Sequence, residues 1–85
     1  MTFMERINEA RTMWTVMMPG VALPPQETFA RWVGRFSNEE ILYAISKTEA
    51  AVRRGGIESP ARYCTASMLA AQRDKNPTQQ AAGHQ

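Results

Sequence analysis

The sequence predicts an all-α fold, a compact bundle of four helices over residues 1–73 followed by a disordered, flexible tail over 74–85. Apolar residues recur at helical spacings of three and four in four separate segments. Capping residues, prolines and glycines separate these segments at the positions where helices begin and end. No stretch of useful length alternates apolar and polar residues as a strand does.

The first helix is predicted over about residues 3–18. Thr2-x-x-Glu5 has the form of a capping box, which opens a helix by satisfying its first backbone N–H groups. Pro19-Gly20 ends the segment, because proline disfavours helical geometry in the residue before it. One apolar stripe follows from the spacing of Phe3, Ile7, Ala10, Trp14 and Met17.

The second helix is predicted over about residues 25–35. Pro25 suits the first helical position, where its missing N–H is not needed. An aromatic-rich buried face is indicated by Phe29, Trp32, Val33 and Phe36.

The third helix is predicted over about residues 38–54. Ser37 and Glu40 form a second capping box. Glu49 and Arg53 are four residues apart, the spacing at which an ion pair forms on a helix. Gly55-Gly56 predicts a left-handed cap at the end of the helix.

The fourth helix is predicted over about residues 60–73, since Ser59-Pro60 supplies a cap followed by proline at the first position. Glu58 is placed to pair with Arg62. A narrow apolar stripe consists of Ala61, Cys64, Met68 and Ala71. From Asp74 onward no apolar side chain is larger than Ala, which predicts the disordered tail.

The composition indicates a single small domain without a cofactor or metal. The chain has 85 residues, a net charge of +2, one Cys and one His, His84, which falls in the tail. A lone Cys cannot form an intrachain disulfide and fits a reducing, cytoplasmic setting. The N-terminus lacks the pattern of a signal peptide, and the apolar stretch 13–25 is too short to span a membrane. Small folds often gain stability from a partner subunit, which leaves a homo-oligomer open.

We expect no enzymatic activity. The phosphate-binding, zinc-protease and redox motifs are missing from the sequence, and adjacent Glu39 and Glu40 are explained by the positive end of a helix dipole. For Cys64, a buried small apolar residue is the favoured interpretation over a reactive thiol, which requires an electropositive and exposed setting.

The end of the first helix carries Trp14, Met17 and Met18, which permit two interpretations. Core packing is favoured, because Met fills irregular gaps between helices. The alternative is an exposed patch for protein interaction or self-association, since Met is common at adaptable binding surfaces.

A cluster of basic residues late in the chain permits two interpretations. The simpler and favoured one for these residues is that cations at helix ends complement the dipole and that Glu partners are available for two of them. The functional one is a nucleic-acid-binding surface that neutralises phosphates, with one tyrosine stacking on a base. The candidate residues are Arg53, Arg54, Arg62, Tyr63, Arg73 and Lys75.

An ordered pattern over about residues 25–70 resembles the C-terminal helical module of DnaD-like replication and primosome proteins. It comprises Pro25, Phe29-x-x-Trp32, Phe36-Ser37-x-Glu39-x-Ile41-x-x-Ala44-Ile45, Gly56, Ser59-Pro60-x-x-Tyr63 and Met68-Leu69. Tyr63, Met68 and Leu69 match the end motif of that module. The resemblance implies a role in DNA replication or primosome assembly, with DNA contact through the last helix and the tail.

Two functional hypotheses follow. The favoured one is a DNA-associated accessory module, encoded by a phage or other mobile element, that binds DNA non-specifically or bridges it to a helicase. The alternative is a protein-interaction module that inhibits or adapts host machinery by steric blockade, with an exposed apolar patch as its anchor.

Overall fold

The computed structural model describes residues 1–74, which form four helices and, within that range, no strand. The helices are α1 (Phe3–Met17), α2 (Gln26–Arg35), α3 (Asn38–Arg54) and α4 (Pro60–Asp74). The predicted all-α bundle is confirmed, and each helix bound is the expected residue or its neighbour. Asp74 belongs to α4 and not to the predicted tail. The remainder of that tail, 75–85, lies outside the described residues.

Both capping boxes form as the sequence predicts. The Thr2 hydroxyl accepts from the Glu5 backbone N–H at 3.1 Å, while the Glu5 carboxylate accepts from the Thr2 N–H at 2.8 Å. The Ser37 hydroxyl accepts from the Glu40 N–H at 3.2 Å, and the Glu40 carboxylate accepts from the Ser37 N–H at 2.8 Å. Each box satisfies two backbone donors that a helix start otherwise leaves without partners. Local chemistry therefore determines where α1 and α3 begin.

The turn between α3 and α4 depends on two glycines. Gly55 and Gly56 have φ of 88° and 87°, a region that side chains rarely adopt. Both glycines have the positive φ that the predicted left-handed cap requires, and with ψ of 172° Gly55 adopts a conformation that essentially only glycine allows. The Gly55 N–H donates to the carbonyls of Ala51 and Val52, both at 3.1 Å, and so closes the last turn of α3.

Contacts between helices show that α1 and α3 run in the same direction. Arg6 Nε donates to Asn38 Oδ1 at 2.9 Å near the start of both helices. Farther along, the Ser46 hydroxyl lies 4.0 Å from Met17 Sδ.

Helices α2 and α4 run in the opposite direction to α1 and α3. Trp14 of α1 packs against Phe29 of α2, whereas Phe3 at the start of α1 lies beside Gly34 near the end of α2. Trp32 of α2 contacts Thr65 of α4, and Arg35, farther along α2, contacts Gln72, farther along α4. These two helices therefore run in the same direction. The four helices therefore alternate up and down, with the α3–α4 turn at one end of the bundle.

The core is built around three aromatic side chains. Trp14 and Trp32 stack with ring centroids 6.0 Å apart, and Phe29 meets both edge-on at 6.2 and 5.3 Å. Trp32 Nε1 donates to Thr65 Oγ1 at 2.9 Å, whereas buried Trp14 Nε1 has no partner among residues 1–74. The other buried apolar residues are Ile7, Ala10, Met18, Val33, Phe36, Ile41, Ala44, Ile45, Ala51, Cys64 and Met68.

None of the four described helices combines the length and the apolar character needed to cross a bilayer.

Candidate nucleic-acid interface

Three of the predicted cations lie at one end of the bundle. Arg53 and Arg54 form the last two residues of α3, and Arg62 lies in the first turn of α4. Because α3 and α4 are antiparallel and joined by a turn over 55–59, these residues come to the same end of the molecule. All three side chains are exposed.

Arg53 and Arg54 nevertheless point in different directions, since neighbouring residues on a helix are about 100° apart. Arg53 Nη2 donates to Glu49 Oε1 at 2.9 Å, which confirms the predicted ion pair. Arg53 also lines a depression of about 290 Å³ together with Met17 and Val21, on the side of α1. Arg54 therefore lies on the other side of α3, toward α4. Arg53 already has a carboxylate partner and is the weaker candidate for a phosphate.

Arg54 and Arg62 have no carboxylate within 4.0 Å among residues 1–74. The predicted Glu58–Arg62 ion pair is therefore wrong. The predicted cap at Ser59 is present, since the Ser59 hydroxyl accepts from the Arg62 backbone N–H at 3.4 Å. Two guanidinium groups at this end of the bundle are thus available to an anionic ligand.

Arg73 does not join this cluster. It lies eleven positions beyond Arg62 on the same helix, which places it about 16 Å away along the axis at 1.5 Å per residue. The predicted residue Lys75 lies outside the described residues. Tyr63 is half-buried in the first turns of α4, on the side that faces α3. Arg54, Arg62 and Tyr63 thus lie at the same end of the bundle, with Arg62 and Tyr63 about 100° apart around α4, and Arg73 lies away from them.

Sequence reasoning missed two residues of α3. Tyr43 and Lys47 precede Arg54 by eleven and seven positions, so all three lie on one face of the helix. Both side chains are exposed, and Lys47 Nζ lies 5.7 Å from the centroid of the Tyr43 ring. The signal was present in the sequence as the spacing 43, 47, 54. The spacing alone does not show that these three residues lie beside α4, because the face of α3 that meets α4 is determined by the packing of the helices.

We call the surface between α3 and α4 the α3–α4 groove; its side chains are Tyr43, Lys47, Ala50, Arg54, Tyr63, Ser67 and Ala70. One end of the groove is basic, near Arg54. The other end opens into a pocket of about 360 Å³ lined by Glu39, Glu40, Tyr43, Ala71 and Asp74. The groove therefore has Arg54 near one end and carboxylates near the other.

The proposed protein-interaction anchor is corrected by burial. Trp14 is 1% exposed and Met18 is 3% exposed, and both belong to the core. Met17 is half-buried beside Ser46. The favoured interpretation, core packing, describes Trp14 and Met18, because the aromatic stack with α2 fills the space that an exposed patch would leave open.

Cys64 is fully buried, and burial raises the pKa of its thiol to about 12, with the neighbouring Thr48 side chain opposing the shift in part. A thiol with that pKa stays protonated at neutral pH and is a poor nucleophile. The favoured interpretation of Cys64 as a small buried apolar residue agrees with this environment. Residues 1–74 contain no group of three or more His, Cys, Asp or Glu side chains placed to hold a metal ion.

In comparisons with known proteins, no family model, no curated protein and no solved structure matches this chain.

Proposed function

We propose that this chain is a small DNA-associated accessory module that binds the phosphate backbone without regard to sequence. The observation that supports it most is the pair Arg54 and Arg62, exposed at the α3–α4 turn and without a carboxylate within 4.0 Å in residues 1–74. Guanidinium groups match the geometry of phosphate oxygens and remain charged at any physiological pH.

The charge distribution sets the strength and type of this binding. Each phosphate neutralised on duplex DNA releases counterions. It thereby steepens the salt slope, the slope of log affinity against log salt concentration, by about 0.9. A site with two principal cations should bind weakly and lose affinity readily as salt rises. The outer face of α4 presents Arg62, Ala66, Leu69 and Arg73, which offers few groups for reading base edges. Sequence-independent binding is the mode that this surface favours.

The resemblance to DnaD-like modules supports a place in replication or primosome assembly. A phage or other mobile element as the origin of the chain is a separate part of the hypothesis. Both belong to the proposal. In such a role the module would bring a second protein to DNA, so a weak and salt-sensitive DNA contact is sufficient.

The test is fluorescence anisotropy of end-labelled DNA with the purified protein at several salt concentrations. We expect the double variant Arg54→Ala/Arg62→Ala to lose at least tenfold in affinity and to reduce the salt slope by about 1.8 on duplex DNA. The matched control is Arg35→Ala/Arg73→Ala, which removes the same charge from the opposite end of the bundle. The control should retain most of the affinity.

Equal losses in both double variants would mean that net charge and not this cluster drives binding. No binding at tens of micromolar protein in low salt would refute the proposal.

The second candidate is the protein-interaction module, now without its Trp14 and Met18 anchor. One observation favours it: Val16 and Leu23 are 71% and 42% exposed and line a shared groove of about 370 Å³ beside α1. This candidate predicts no DNA affinity even at low salt.

A further inference from the structure

We propose that the α3–α4 groove binds single-stranded nucleic acid in preference to duplex, with Lys47 and Arg54 on the phosphates and Tyr43 and Tyr63 stacking on bases. This inference rests on the proposed DNA association and specifies its ligand. It adds Tyr43 and Lys47 to the interface.

The α3 side of the groove alternates aromatic and basic groups. Tyr43 is 47% exposed, and Lys47 Nζ lies 5.7 Å from the centroid of its ring. Arg54 lies on the same face, seven positions beyond Lys47. Lys47 lies over one face of the Tyr43 ring, so a base would stack on the opposite face while a phosphate meets the ammonium group.

The α4 side of the groove supplies a second ring and a floor of small residues. Tyr63 lies across from the part of α3 near Ala50, since Cys64 packs beside Thr48 in the core below. Along the groove, Ser67 lies between the two tyrosines, while Ala50 lies near Tyr63 and Ala70 lies near Tyr43. Small side chains allow a strand to approach the helices closely, so that both rings can be reached at once.

Single strands fit this surface better than duplex does. In a duplex, the faces of the bases are covered by neighbouring base pairs, so a tyrosine at the surface cannot stack on them without unpairing. A single strand exposes its base faces, and stacking on aromatic side chains is then largely independent of sequence. The two tyrosines therefore contribute only when the ligand is single-stranded.

Acidic side chains limit the length of the site. The pocket beside Tyr43 is lined by Glu39, Glu40 and Asp74, which repel phosphates. The distance along α3 from Tyr43 to Arg54 is about 16 Å at 1.5 Å per residue. At 3.4 Å per stacked nucleotide, that length holds about five nucleotides. Tyr43 is thus the last stacking position at that end.

The experiment compares labelled oligothymidylate with a duplex of equal length by anisotropy in low salt. We expect single-strand affinity to exceed duplex affinity at least fivefold. Tyr43→Ala should lower single-strand affinity at least fivefold and leave duplex affinity unchanged, because base stacking is lost only where bases are exposed. Tyr43→Phe keeps the ring and is the matched control, with affinity within about twofold of the parent, the ring being what stacks.

Further variants separate a binding effect from a folding effect. Tyr43 is exposed, so Tyr43→Ala should keep the helical circular dichroism of the parent, whereas half-buried Tyr63 is tested by Tyr63→Leu as well as Tyr63→Phe. Lys47→Ala should lower the single-strand salt slope by about 0.7. The groove holds about five stacked nucleotides. Longer oligothymidylates should therefore bind more tightly only because they offer more alternative positions at which about five nucleotides can occupy the groove.

The outcomes distinguish this inference from the proposed function. If duplex and single strand bind equally, and Tyr43→Ala changes neither while Arg54→Ala/Arg62→Ala weakens both, the groove is not the site and the DNA association stands. If neither ligand binds the parent protein, both proposals fail.

Discussion

Single residues in this bundle differ in how completely their polar atoms are satisfied. Trp32 and Trp14 stack on each other in the core, yet among residues 1–74 Trp32 finds a hydrogen-bond acceptor, Thr65, and Trp14 does not. A buried donor without a partner costs on the order of 1–3 kcal/mol. The packing of Trp14 against Phe29 and Trp32 outweighs that cost, so Trp14 lies in the core as the favoured interpretation predicted and not in an interaction patch.

Cys64 makes stability dependent on pH in the alkaline range. Burial raises the pKa of its thiol from 9.0 to about 12, so between these values the folded state holds a proton that the unfolded state has released. The stabilisation is complete below pH 9 and is lost as the pH rises toward 12. The expected slope approaches 1.4 kcal/mol per pH unit in that window, as an upper bound.

This dependence is measured by urea denaturation of the parent and of Cys64→Ala between about pH 8 and about 11. That range begins below the unfolded pKa of the thiol and covers most of the predicted loss of stability. Cys64→Ala should be less stable at pH 8 because it leaves a small cavity, and the difference should shrink as the pH rises. A difference that stays constant across the range would mean that the thiol does not titrate differently in the two states.

At the scale of the element, α3 depends on Ser37, the N-cap residue that precedes it. The Ser37 hydroxyl and the Glu40 carboxylate satisfy each other's backbone N–H groups, and Glu40 is 6% exposed. Ser37→Ala should therefore destabilise the protein by about 1 kcal/mol, and Ser37→Gly by only a few tenths. Thermal denaturation followed by circular dichroism checks this, and equal effects of the two substitutions would argue against a capping role.

Much of each element could be predicted from the sequence, because its start and end signals act over a few residues. The Thr2 and Ser37 boxes and Pro60 fix where helices begin by local hydrogen bonding and dihedral preference. The directions of the helices, and therefore which cations meet, depend on long-range packing. Arg53 and Arg54 illustrate the difference: the sequence placed both at the end of α3, but only the fold directs one to α1 and the other to α4.

At the scale of the whole molecule, Arg6 connects segments that are distant in the sequence. Its guanidinium donates to the Asn38 side chain at 2.9 Å and to the Phe36 backbone carbonyl at 2.8 Å. It thereby ties α1 to the junction between α2 and α3. The sequence contained no sign of this bridge, because its partners lie 30 and 32 positions away.

Arg6→Ala should therefore lower the free energy of unfolding by about 2 kcal/mol, since it removes two hydrogen bonds with a charged donor. Arg6→Lys should recover only part of that loss, because an ammonium group lacks the fork that reaches both acceptors. Arg11→Ala is the control on the same helix and should cost less than about 0.5 kcal/mol. Urea denaturation at neutral pH measures all three, and equal effects of Arg6→Ala and Arg11→Ala would rule out the bridge as a stabilising contact.

The stacked pair Trp14 and Trp32 also determines how the protein can be observed. The chain has two tryptophans, and both are only 1% exposed. Tryptophan emission should therefore be blue-shifted and resistant to acrylamide quenching, and it originates in the core, whereas the two tyrosines lie at the α3–α4 groove. A ligand that settles in the groove without disturbing the helices leaves the wavelength of this emission unchanged. A wavelength shift of the tryptophan emission during a titration thus reports a rearrangement of the bundle.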